Sequence, residues 1–191
     1  MIKLYSFLLI IFFSINTFAH QPRLNEEGDY AMSKDDPYII KDPEISKAIY
    51  STLDGAEHFY KIKSDEDFNM YAGITVAKQD DCPDEFQKFS FSILDENFNT
   101  LHAFDGESFK WWSWYEEYGK KWYWVGPEYG ADFKSTNIFK KGTYYLKVNN
   151  NSNQGNYVLA VGDIEKYNAL VIGKMMLVLP ELNKKFWNKN N

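Results

Sequence analysis

Apolar and polar positions alternate along the middle of this chain in short runs separated by turn-forming residues. Phe89, Phe91 and Ile93 alternate with Ser90, Ser92 and Leu94, and Tyr145-Leu146-Lys147-Val148 keeps a similar two-residue rhythm. A period of two places successive side chains on opposite faces of a pleated strand, one face packed and the other wet. Strands are therefore expected over 48–53, 57–63, 68–76, 88–94, 101–104, 143–148 and 157–161, with Tyr38-Ile39-Ile40 as a first edge strand. Turn chemistry lies between them: Asp54-Gly55, Asp80-Asp81-Cys82-Pro83, Asp95-Glu96-Asn97, Lys141-Gly142 and the Asn-rich stretch 149–155. No long run with a 3.6-residue period precedes residue 163. The pattern predicts an all-β, antiparallel sandwich over residues 38–162, preceded by an extended lead-in (20–37) that is polar and rich in turns.

Both ends of the chain depart from this rhythm. Lys3 is followed by an apolar run from Leu4 to Phe13 broken only by Ser6, and Thr17-Phe18-Ala19 offers small residues at a cleavage site. That arrangement predicts a signal peptide over 1–19, cleaved between Ala19 and His20, and hence a secreted or periplasmic protein. Its apolar core is too short, and too promptly followed by polar sequence, to span a bilayer. At the other end, residues 169–179 are apolar apart from Lys174, with Pro180 beyond them. Eleven residues do not span a membrane either. Residues 163–191 are therefore expected to form a short C-terminal helix. It either packs on the sandwich or touches a membrane surface over 169–187, with Lys184, Lys185 and Trp187 at the interface.

Composition narrows the chemistry. The chain has 191 residues and a formal net charge of −6, and loss of the leader, with its single Lys, makes it one unit more negative. An acidic surface repels phosphate backbones, so no nucleic-acid partner is expected. Cys82 is the only cysteine, which excludes an intramolecular disulfide and leaves the fold to packing. Six Trp, 14 Tyr and 15 Phe supply large apolar rings for that purpose.

Two closing segments then carry a family resemblance. Lys141-Gly142-Thr143-Tyr144-Tyr145-Leu146-Lys147-Val148 and Gln154-Gly155-Asn156-Tyr157-Val158-Leu159-Ala160-Val161 resemble the last two strands of bacterial pre-peptidase C-terminal domains. The stretch from Leu53 to Ile62 resembles the strand opening of the same family. Phe91-Ser92-Ile93-Leu94-Asp95-Glu96-Asn97 is similar to its central strand and turn, with Asp105-Gly106 beyond. The resemblance covers about residues 45–162 and implies a jelly-roll-like β-sandwich of the carbohydrate- or collagen-binding sort, without catalytic residues. His20-Gln21-Pro22-Arg23 also resembles the start of mature chains in a secreted protein family beginning His-Gln-Pro-Arg. Two segments lie outside the resembled pattern, an aromatic-rich insertion (107–134) and the C-terminal extension (163–191).

The insertion holds five of the six Trp, all between positions 111 and 124. Trp111, Trp112, Trp114, Tyr115, Trp122 and Trp124 offer flat faces that stack on sugar rings or apolar peptide groups, and Glu116 and Glu117 accept hydroxyl hydrogen bonds. The competing expectation is that these rings turn inward and cap an open end of the sandwich. For metals, an N-terminal His20 chelates copper through its amine and Nδ1 if His58 or His102 completes the set. His58 sits where the resembled family tolerates many residues, and His102 lies in a strand beside an apolar run. The acidic turn 80–85 offers oxygens to calcium, but no D-x-D-x-D-G spacing is present and solvated turns explain the same residues. No cofactor is therefore expected. Nor does the chain carry G-x-S-x-G, H-E-x-x-H or a Gly-rich phosphate loop, so no enzyme is expected. The sequence points to a secreted, non-catalytic binding module for a glycan or a protein surface. The alternatives are a copper-binding protein using His20 and a structural envelope protein without a discrete ligand; the oligomeric state is left open.

Overall fold

A computed structural model describes residues 20–24, 31–79, 86–117, 119–130, 135–166 and 169–187. Segment 1–19, expected to be a signal peptide, and the acidic stretch 80–85, with Cys82, lie outside the described residues.

Where the sequence alternates, strands form. The larger sheet contains β1 (Gln21–Leu24), β3 (Lys47–Asp54), β6 (Ala72–Ala77), β9 (Trp112–Glu116), β10 (Lys121–Tyr129) and β13 (Gln154–Val161), in the order β1-β3-β13-β6-β10-β9. The second sheet contains β2 (Tyr38–Ile40), β4 (His58–Ser64), β7 (Ser90–Leu94), β8 (Thr100–Phe104) and β12 (Gly142–Asn149), in the order β2-β4-β12-β7-β8. A short ladder joins β5 (Phe68–Asn69) to β11 (Ile138–Phe139). The molecule is a β-sandwich with one C-terminal helix, α1 (Ala169–Leu182), followed by a π-helical turn over Asn183–Trp187.

Strand periodicity builds the space between the sheets. Ile49, Leu53, Ile74, Tyr157, Leu159 and Val161 of the larger sheet meet Tyr60, Ile62, Phe91, Ile93, Leu146 and Val148 of the second in one buried cluster. Three hydroxyls are satisfied inside it. Tyr60 Oη is 2.6 Å from Tyr157 Oη and 3.1 Å from Ser51 Oγ. His58 Nδ1 closes the chain at 2.8 Å from Tyr157 Oη. A buried hydroxyl without a partner carries a desolvation cost of about 1–3 kcal/mol, so the three polar groups are tolerable only together.

The structure corrects the sequence expectation in three places. The lead-in contains a strand, β1, and both early edge strands run parallel to their neighbours, β1 to β3 and β2 to β4. Parallel neighbours need a crossover. The chain supplies one by passing from the larger sheet to the second and back before β3. The single strand expected over 68–76 is two, β5 and β6, with the break at Met70 and Tyr71. There the chain crosses from the short ladder, through Met70 N–H to Asn137 O at 3.0 Å, into the larger sheet. The expected insertion is itself built into the larger sheet, since β10 pairs with β6 as well as with β9. The β10–β6 register shifts between Val125 and Glu128, at Gly126-Pro127, where proline has no N–H to give the ladder. The C-terminal segment packs on the outer face of the larger sheet, one of the two placements expected for it. Ala48, Tyr50, Tyr123 and Val158 pack with Leu182 and Phe186 in a second, smaller apolar cluster.

Candidate functional site

Two regions gather the side chains singled out above: the β9–β10 hairpin and the space beneath α1.

In the hairpin, Trp122 pairs with Tyr115, Tyr123 with Trp114, Trp124 with Ser113 and Val125 with Trp112. Pleating puts Tyr115, Trp122 and Trp124 on the face that continues the inter-sheet core, and Trp112, Trp114 and Glu116 on the opposite, helix-bearing face. The rings then divide by function. Trp111 and Trp124 clasp Phe86: Trp124 stacks on it at 4.8 Å with planes 7° apart, and Trp111 meets it edge-on at 5.2 Å. The Trp111 indole N–H donates to Gly106 O at 2.7 Å, and its ring lies where a Cβ on Gly126 would stand. These two rings close the end of the sandwich. Trp114 is half-buried against Tyr123, with centroids 5.9 Å apart.

Trp112 and Trp122 remain exposed, at 46% and 40%. They lie on opposite faces of the hairpin, so they do not form one platform. Trp122 leans on half-buried Tyr115 (5.1 Å), and the Lys78 ammonium sits 5.8 Å from the Trp122 centroid and 4.1 Å from that of Trp124. Glu116 turns back to accept the Gly119 N–H at 2.6 Å, which tightens the hairpin turn, while Glu117 is exposed. Among the described residues, β9 stands at the end of the strand order and pairs with β10 alone.

Beneath α1 lies a cavity of about 70 Å³, walled by Tyr50, Thr75, Trp114 and Tyr123 from the sheet and by Met175, Leu179 and Trp187 from the C-terminal segment. Glu116, Lys121 and His20 complete its wall. Tyr50 Oη and Tyr123 Oη share a hydrogen bond of 2.6 Å, and burial raises both phenols above their usual range.

The three histidines are not brought together. His20 Nδ1 is hydrogen-bonded to Ser46 Oγ, and the ring stacks on Tyr71 at 6.1 Å; burial lowers its pKa to about 4. His58, on β4 in the second sheet, is held by Tyr157 of β13, and burial also lowers it to about 4. His102 lies on β8, exposed, with its ring 4.7 Å from Tyr129. The Nδ1 atom that copper chelation at His20 needs is thus occupied by Ser46. Among the described residues, no three His, Cys, Asp or Glu side chains group as metal ligands.

Sequence reasoning passed over Lys78, Phe86, Tyr50 and Tyr123. The signal for the last was present, since Lys121-Trp122-Tyr123-Trp124-Val125 is a strand by residue type. It was obscured because nearly every position there is a large aromatic, which removes the apolar–polar contrast that marks a period of two.

No protein-family model matches the chain. No curated protein matches it either. Among solved structures, the chain is similar to the pre-peptidase C-terminal domain of a collagenase from Bacillus anthracis, with 13% identity and a TM-score of 0.36. The likeness covers 66% of this chain and 92% of that one. At so low a score it assigns no role to any residue of the hairpin or the cavity.

Proposed function

We propose that the protein is a secreted, non-catalytic binding module that recognises an extended segment of a partner protein along β9. The observation that carries this reading is the pair of exposed tryptophans on opposite faces of the hairpin at the end of the larger sheet, Trp112 on β9 and Trp122 on β10. An added strand takes its affinity from backbone hydrogen bonds and its selectivity from side chains that alternate to either face. Rings on both faces grip such a strand from two sides. A glycan is served less well, because stacking on consecutive sugars needs exposed rings on a common face. Glu116 is also engaged by its own turn. Secretion rests on the leader-like segment 1–19.

The experiment is a selection from a displayed random-peptide library in parallel with a glycan array, using the protein and its Trp112→Ala/Trp122→Ala variant. Peptides enriched by the protein and lost by the variant support strand recognition. Glycans bound instead, with the same loss, would transfer the site to sugar recognition. Silence in both assays would favour a structural envelope protein.

A further inference from the structure

The helix α1 is apolar on two faces, and only one of them is used. Met175 and Leu182 are buried against the larger sheet, with Val178 and Leu179 half-buried beside them and Phe186 buried in the turn that follows. At 100° per residue these form one stripe. Met176 and Leu177 fall outside this stripe and are 67% and 81% exposed, with Pro180 exposed between them; Ile172, at the stripe's margin, is 41% exposed. Helices of soluble domains ordinarily place polar residues there. Here the polar residues sit at the margins and are mainly basic: Lys174, Lys184 and Lys185 are exposed, against Glu181 alone within 172–187. The rest of the chain is acidic, since the whole carries −6.

We propose that this outer face of α1 docks on the surface of an anionic phospholipid bilayer. The helix lies in the plane of the headgroups, Ile172, Met176 and Leu177 enter the acyl boundary, and Lys174, Lys184 and Lys185 pair with lipid phosphates. Charge selects this occupant. The helix and turn are locally basic on an acidic molecule, so an anionic surface attracts this segment and repels the remainder, which fixes the orientation of the sandwich. A second copy of the chain is disfavoured by the same charges, because face-to-face packing would bring two sets of these lysines together. The helix has 14 residues, and among the described residues no helix is long and apolar enough to cross a membrane, so it lies on the surface. The proposal does not rest on partner recognition at β9, because it uses only the outer side chains of α1 and the turn after it.

Flotation of the full chain with vesicles of phosphatidylglycerol and phosphatidylethanolamine, and with phosphatidylcholine alone, tests it. Binding to the anionic vesicles, falling as salt is raised, is expected. Met176→Glu/Leu177→Glu should weaken it tenfold or more, and Lys184→Gln/Lys185→Gln about fivefold for each lysine replaced. Both variants alter exposed side chains, so circular dichroism and melting should match the parent. Hydrogen–deuterium exchange on the vesicle-bound chain should show new protection over 172–187. Protection confined to the leader, equal binding by the Glu variant, or equal binding to phosphatidylcholine would each overturn the proposal. A concentration-dependent dimer abolished by Leu177→Glu would also overturn it and would assign the stripe to self-association.

Discussion

Neighbouring tryptophans in this chain have unlike surroundings, and their substitutions should separate accordingly. Trp111 is hydrogen-bonded to Gly106 O at 2.7 Å and packed on Phe86 and Gly126, so Trp111→Ala opens a cavity and should cost about 3 kcal/mol. Trp112, 46% exposed, should cost under about 1 kcal/mol. Urea melts of the two variants give the comparison directly, and equal losses would show that both rings belong to the core. The histidines set the acid limit. His20 and His58 each have a folded pKa of about 4 against an unfolded value of 6.5. Between those values the unfolded chain takes up protons that the folded one refuses. Stability is therefore fully present above pH 6.5 and declines as the pH falls toward 4. The loss is at most on the order of 3 kcal/mol for each, since both rings are only half-buried and water reaches them in part. Urea midpoints at pH 7 and 4.5 should differ in the protein and differ much less in His20→Gln/His58→Gln. An undiminished drop in the variant would assign it to other groups.

At the scale of elements, the C-terminal segment is attached to the sandwich through few side chains. Phe186 is 3% exposed and meets Tyr50 edge-on at 5.0 Å, and Trp187 meets Tyr123 in the same way at 5.2 Å. Phe186→Ala should weaken docking by about 3 kcal/mol. Limited proteolysis should then cut within 169–187 while the strands remain protected, because the inter-sheet cluster contains none of these residues. Simultaneous cutting throughout the strands would show that helix and sandwich unfold as one unit. Pro180 contributes to the weak attachment from within. It has no N–H to return to the carbonyl four residues earlier, and the regular helix gives way to a π-turn two residues after it.

For the whole molecule, stability comes from two apolar layers that share the larger sheet. One lies between the sheets and the other lies under α1. With Cys82 as the only cysteine, no covalent link within the chain reinforces them. The thermal midpoint of the monomer should therefore be the same with and without reductant, and a fall on reduction would reveal an intermolecular disulfide through Cys82. Acidity belongs to this scale as well. The protein should stay unbound to duplex DNA at physiological salt, as an electrophoretic shift assay would show.

The two-residue rhythm of 89–94 and 145–148, with turns between the short apolar runs, was enough by itself to point to a β-sandwich. Alternation decides which side chains are buried, and burial decides the sheet face, without reference to distant residues. The apolar tail likewise announced a helix too short to span a membrane. The parallel pairing of β1 and β2 was not legible, because pairing at a sheet edge depends on where the chain crosses and not on local residue type. Nor was the division of the tryptophans. Trp111 and Trp112 are adjacent and chemically identical, and only the position of Phe86, far off in sequence, makes one a cap and leaves the other exposed. Local chemistry fixed the strands, while long-range contacts fixed which aromatic faces remain free for a partner.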